Sequence, residues 1–400
     1  MTTATDPTNA TDPAGATDPA TATSATHVEA IEPERAGVPR DRSSAAMGLL
    51  RRYAPLLGIG VLALLLLVWA PASLSQFRLT NLGKYCCWAL AAVGIGLAWG
   101  RGGMLVMGQG VFFGLGGYAM AMHMKLDAAG PGKVPDFMQL YGNGTMPSWW
   151  EPFRSAPFTL FAIVALPAVV SFILGYAILK RRVKGAYFAI LTQALAVAFS
   201  TLLIATIKQT GGFNGLNNFS KFFGHNLYDP AVKKNLYLIV ASLLIVCLVI
   251  VWQLYRSRYG ELLLATRDAE ERIRFLGYDP ANIKLVAFVV AAIMASIGGA
   301  MFVPLAGIIS PSNVNATASI MLIAGVALGG RTSLLGPAIG AIAVGYGQTT
   351  LSEQFPTQWT YFQGGLFIVV LLFLPFGITS LLPKAKQLVS RRRTTAEVVA

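Results

Sequence analysis

A chain of 400 residues with 54% hydrophobic and only 12% charged side chains is not a soluble globular protein, in which roughly a quarter of residues are charged. A mean hydropathy of +0.58 points instead to a polytopic membrane protein. The net charge of +13 does not signal nucleic acid, because the basic residues lie mainly in loops and tails between apolar runs, where membrane proteins place them. Cys86, Cys87 and Cys247 all sit in apolar runs without paired spacing, so neither a disulfide framework nor a zinc site follows from them.

Residues 1–46 are rich in Ala, Thr, Pro and Asp, with Ala-Thr-Asp-Pro recurring from Ala4, Ala10 and Ala16. Such a segment buries too little apolar surface to offset its ordering entropy, and a disordered cytoplasmic tail is expected. A membrane domain then covers 47–383, and a basic tail covers 384–400. Its first apolar run, Leu56–Trp69, follows Arg51 and Arg52 and precedes Ala70-Pro71-Ala72, which has the outline of a cleavable signal. The fifty residues upstream and the many spans downstream favour an uncleaved first span.

Nine further spans are predicted: Lys84–Trp99, Leu105–Met124, Phe158–Leu179, Ala186–Ile207, Leu236–Tyr255, Ile283–Val303, Ala316–Leu328, Leu335–Thr350 and Phe362–Leu382. The fold class is therefore all-α, a transmembrane helical bundle of about ten spans. Ala316–Leu328 and Leu335–Thr350 are short of the roughly twenty residues of a full crossing and are tilted, extended at their ends or partly re-entrant. Alternating the spans from a cytoplasmic start leaves 22 of the 31 basic residues inside, which places both termini in the cytoplasm. Two outer loops have content. Leu126–Pro157 carries Trp149 and Trp150, and Lys208–Lys234 carries Gly211-Gly212-Phe213-Asn214-Gly215, turn chemistry beside a span end.

One stretch, Ser257–Pro280, is charge-dense and lies between two spans on the cytoplasmic side. Gly260 at its start and Gly277 with Pro280 at its end bracket about four turns of helix. It is too polar for lipid, and reads either as a helix offered to a soluble partner or as a solvated connector. No GxxxxGK[ST] phosphate loop occurs, so ATP is not bound by that device. His27, His123 and His225 are too scattered for a metal cluster or catalytic triad. Intramembrane carboxylates, which ion-coupled carriers use, are nearly absent.

Glycines crowd Gly100–Gly117 and Gly298–Gly340, where they serve close helix packing or broken helices along a path. Gln109, Thr192 and Gln193 are polar at membrane depth. They face a polar substrate pathway or bond between helices.

Several of these segments resemble one family. Gly100-Arg101-Gly102-Gly103 through Gly108-Gln109-Gly110-Val111-Phe112-Phe113-Gly114-Leu115-Gly116-Gly117-Tyr118 is similar to the glycine-rich span of the branched-chain amino acid/urea class of ABC-transporter permeases. Gly185-Ala186-Tyr187-Phe188, the Gly211–Leu216 loop, Arg267-Asp268-Ala269-Glu270 with Gly277-Tyr278, and Gly329-Gly330-Arg331 follow in order. Thr192-Gln193-Ala194-Leu195, Phe275-Leu276-Gly277-Tyr278 and the Val303–Pro311 segment look most like the urea-type subunit. Gln109 stands where the family commonly has histidine, and Ile323–Leu328 lacks a tryptophan associated with the urea type.

The resemblance implies a permease subunit of an ATP-driven ABC importer in the bacterial inner membrane, a transporter and not an enzyme. Its substrate would be a small polar solute, urea first and branched-chain amino acids second. It also implies the partners: a homologous second permease, two cytoplasmic ATPases carrying the ATP, an extracytoplasmic solute-binding protein and the lipid bilayer. The 256–281 loop then becomes the ATPase-coupling element, with Gly260, Arg267, Asp268 and Glu270 at its centre. A stand-alone channel or secondary carrier is the rival reading.

Overall fold

The computed structural model describes residues 42–358 apart from 143 and 184, and isolated positions from 361 to 377. The Thr/Ala/Pro-rich segment up to 41 and the 384–400 tail lie outside the described residues. Helix α1 (Arg42–Leu64) runs through a wide turn, Leu65–Trp69, into α2 (Ala70–Ser73). Then come α3 (Gln76–Ile95), continued by a second wide turn at Gly96–Arg101, α4 (Gln109–Ala129) and a short α5 (Asp136–Tyr141). Helices α6 (Ala156–Lys180), α7 (Ala186–Ala205) and α8 (Ile207–Thr210) follow.

After a loop with strands β1 (Leu216–Asn217), β2 (Lys221–Phe222) and β3 (His225–Asn226), α9 covers Pro230–Arg256. The charged stretch contains α10 (Arg258–Asp268) and α11 (Glu270–Phe275). The chain then forms α12 (Pro280–Ala306), β4 (Ile308–Ile309), α13 (Ala316–Gly329) and α14 (Gly336–Gln354).

Seven helices among the described residues are long and apolar enough to cross a membrane: Tyr53–Ser73, Gln76–Arg101, Ala156–Lys180, Ala186–Ala205, Pro230–Arg256, Pro280–Ala306 and Pro311–Gly329. The expected count of about ten is not reached. Two of the other predicted spans correspond to α4 and α14, whose glycines and polar side chains dilute their hydropathy. The last, Phe362–Leu382, lies largely outside the described residues.

Helix α12 is the axis, packing most extensively on α4, α3 and α6. Its buried face is a run of small residues, Ala291, Ala292, Ala295, Ser296, Gly298 and Gly299. With no hydrophobic drive between helices in lipid, close backbone approach supplies the packing energy. A Cβ on Gly299 would strike the Phe113 carbonyl of α4, and one on Gly116 would strike the Ser296 carbonyl of α12. Strand β1 pairs antiparallel with β4, with Leu216 opposite Ile309, so the loop before α9 is tied to the segment leading into α13.

Candidate functional site

The charged stretch is two helices rather than the single one predicted. The chain leaves helical geometry at Ala269 (φ −149°, ψ 65°). Gly277, at φ +84°, then turns the chain out of α11 as expected. Ser257 opens α10 by accepting a hydrogen bond from the Gly260 N–H, and Asp279 opens α12 by accepting one from the Ala281 N–H.

The four predicted coupling residues take different positions. Gly260 is buried in the elbow between α9 and α10, where any Cβ would meet the Leu254 carbonyl and the Tyr255 backbone. Arg267 points into the bundle: its guanidinium donates to the Gly100 carbonyl at 2.6 Å and its Nε to Asp268 at 2.8 Å. Glu270 ties α11 to itself and to α12, accepting from Arg274 at 2.8 Å and from Lys284 at 2.9 Å. Asp268 has a side chain 59% exposed and is the outward member of the set.

Sequence reasoning passed over the most exposed part of this segment. Phe275 is 90% and Leu276 70% exposed, with Tyr278 beside them, on a stretch whose charges keep it out of lipid. The available signal was Phe275, two residues from the buried Ile273 and so on the opposite side of α11, next to the helix end at Leu276. At the same end of the bundle, Lys180 at the foot of α6 pairs with Asp279. That hydrogen bond holds the Asp279 carboxyl below the ordinary carboxylate range.

Gly100 is a junction. Its carbonyl receives Arg267, and its Cα abuts the Arg331 carbonyl in the turn between α13 and α14, where a Cβ would collide. Arg331 stacks over Trp99 at 5.0 Å. Segment α10 therefore touches the end of α3 at Gly100, which in turn abuts the α13–α14 hairpin.

Helices α3, α4, α13 and α14 enclose a cavity of about 350 Å³. Its lining mixes apolar Trp88, Phe113, Met321 and Val344 with polar Asn313, Asn315, Thr317 and Gln348, and no charged side chain among the described residues lines it. Helix α13 rises only about 21 Å at ~1.5 Å per residue, short of the roughly 30 Å hydrocarbon core. The crossing is completed by the short strand β4 and a single 3-10 turn at Pro311–Asn313. Irregular backbone at that depth is tolerated where it is buried or lines a polar cavity. The Asn315 side chain caps α13 through the Ala318 N–H at 3.1 Å, and Ser319 accepts from the Gly110 N–H at 3.1 Å, which fixes α13 against the start of α4.

The predicted pathway residues lie apart from this cavity. Gln109 is fully buried between α4 and α12; its Nε2 donates to the Ala291 carbonyl at 2.7 Å, and its Oε1 has no partner. Thr192 accepts from the Met107 N–H at 3.1 Å and lines a separate apolar crevice against Phe112 and Phe288. The Oε1 of Gln193 is buried without a partner. Sequence reading reached for polar residues inside predicted helices. The Ser312–Asn315 approach to α13 was not among the predicted positions, although Pro311-Ser312-Asn313-Val314-Asn315 is a polar break between two late apolar runs.

A helical bundle with a broken span beside a neutral cavity, and a charged two-helix segment hung from its axis, defines a polytopic membrane permease. The chain belongs to the family described as branched-chain amino acid transport system / permease component, whose model matches residues 78–373. It is 28% identical over 313 residues to the high-affinity branched-chain amino acid transport system permease protein LivM of Escherichia coli K12, covering 72% of this chain and 67% of that one. The LivM protein of Salmonella typhimurium LT2 is 27% identical over the same shares. The permease protein BraD of Pseudomonas aeruginosa, from a transport system of the same description, is 30% identical over 124 residues, 31% of this chain and 40% of its own. No solved structure matches the chain.

Proposed function

We propose that this subunit carries an amino acid with an apolar side chain, of the branched-chain kind, and that separate ATPases drive it. The observation that carries the substrate is the mixed polar and apolar lining of the cavity, without charge among the described residues. A zwitterion can place its polar end on Asn313, Asn315 and Gln348, and a branched aliphatic side chain against Trp88, Phe113, Met321 and Val344. Urea, the first expectation from the sequence, has no apolar part to use the apolar lining. The names of the LivM and BraD relatives favour the same reading.

Coupling runs through α10 and α11. The exposed Asp268, Phe275, Leu276 and Tyr278 form the face for a soluble partner. Arg267 and Glu270 face inward and grip α3 and α12. A push on α10 then moves Gly100, and with it the cytoplasmic ends of α3 and the α13–α14 hairpin, whose other portions line the cavity. A solute-binding protein on the opposite face and a second permease complete the importer.

The test is uptake of labelled leucine and labelled urea by cells carrying the whole system, with wild type and Gln348→Leu compared. The Gln348 side chain makes no hydrogen bond among the described residues, so its replacement spares the fold. Leucine uptake with a KM about tenfold higher in the variant supports the reading, that being the cost of roughly one hydrogen bond to a charged group. Urea uptake without leucine uptake would overturn it.

A further inference from the structure

A second cleft, of about 820 Å³, runs along the seam between α3 and α14, on the side of α14 turned away from the first cavity. Its charged side chains gather at one end, beside Leu74 and Phe77, and isoleucines line the other. Arg78 and Glu353 stand at the end remote from α10, one on each helix. Asn81 and Tyr85 come next, where the Tyr85 hydroxyl bonds Thr349 at 2.5 Å. Ile339 and Ile342 line the depth. From Glu353 down to Ile339 is about 21 Å of one helix at ~1.5 Å per residue.

The side chains of Arg78, Glu353 and Asn81 make no ion pair or hydrogen bond among the described residues. A cation and an anion thus stand unpaired at one membrane–water boundary, above an apolar slot one leaflet deep. Tyr346, on the lip, is 66% exposed, so the slot opens sideways between membrane-spanning helices.

We propose that this seam binds a zwitterionic phospholipid whose headgroup carries a phosphate and a primary ammonium, the phosphatidylethanolamine class. The phosphate lies on the Arg78 guanidinium, a geometry arginine favours, and the ammonium lies on the Glu353 carboxylate. One acyl chain follows Ile342 and Ile339 inward. A free amino acid satisfies the two charges but leaves most of the slot's length empty. An anionic glycerol headgroup satisfies Arg78 and is repelled by Glu353. The inference takes α14 as a span beside α3, and is independent of the transported solute.

The full chain, in detergent with equal amounts of phosphatidylethanolamine and phosphatidylglycerol, is examined by native mass spectrometry. Wild type is expected to retain the ethanolamine lipid about fivefold over the glycerol lipid, the ratio given by roughly one favourable charge contact. Glu353→Gln is expected to bring that ratio to about one, and Arg78→Gln to reduce retention of both lipids by a similar factor. Ile342→Trp fills the slot beneath an intact charged rim and should abolish retention with an unchanged melting temperature. Equal retention of the two lipids by wild type, an undiminished preference in Glu353→Gln, or displacement of the lipid by free leucine would overturn the proposal.

Discussion

The Arg267 guanidinium reaches out of the charged segment to the carbonyl of Gly100 at 2.6 Å, across 167 residues of sequence. A hydrogen bond from a charged donor to a buried-side carbonyl contributes about 1.5–3 kcal/mol, and here it is also the point where α10 meets the end of α3. Arg267→Ala should therefore separate coupling from docking. Uptake is expected to fall about tenfold or more, while ATPase subunits still co-purify through the exposed Asp268, Phe275 and Leu276. Loss of co-purification together with uptake would place Arg267 in the docking face instead.

Glu270 and Lys284 form a pair whose side chains are only 16% and 15% exposed. Glu270→Gln leaves Lys284 without its counter-charge in a half-buried place, and should lower stability by about 1–3 kcal/mol. Adding Lys284→Met removes the stranded cation and should restore much of that loss, a coupling within the usual range for contacting residues. Thermal unfolding of the purified single and double variants reads this out; strictly additive effects would show that the pair is not coupled.

The helix contacts at Gly116 and Gly299 are backbone to backbone. Gly116→Val or Gly299→Val must push α4 away from α12, with an overpacking cost of about 1–3 kcal/mol or more. Membrane accumulation of either variant should drop sharply. Gly60→Ala is the control: a Cβ there meets nothing within 4 Å, and accumulation should hold or rise slightly because alanine favours helix.

Asp279 gives a pH dependence of definite sign. Its folded-state pKa is depressed, first by the hydrogen bond from Lys180. The stabilisation it contributes is therefore fully present above its ordinary pKa, about 3.9, and is lost as pH falls through the lower folded value. Melting temperatures of wild type and Asp279→Asn should differ by a constant margin from neutral pH down to about pH 5. The gap should close below about pH 4. A gap that widens on acidification would contradict the assignment. The pair is surface-exposed, so the margin is small and shrinks with salt.

Much of this architecture was legible in the sequence because lipid imposes a strict rule on composition. Every span must satisfy its own backbone, so apolar runs of helical length mark the helices, and charges are confined between them. That rule located the bundle and isolated Ser257–Pro280 as the charged segment between two spans. Gly277 could be read as its stop because only a residue without a Cβ enters a positive φ freely.

What the sequence left open was settled by contacts between residues far apart in the chain. Nothing local shows that the segment breaks at Ala269, since the break follows from α10 being bonded to Gly100 and α11 to Lys284, which pull the two halves to different helices. Gln109 and Asn315 look equally polar along the chain. Tertiary packing puts Gln109 against the Ala291 carbonyl and Asn315 on the wall of a cavity. A polar side chain at membrane depth must find a partner, and whether that partner is a neighbouring helix or a passing solute is decided by which helices meet around it.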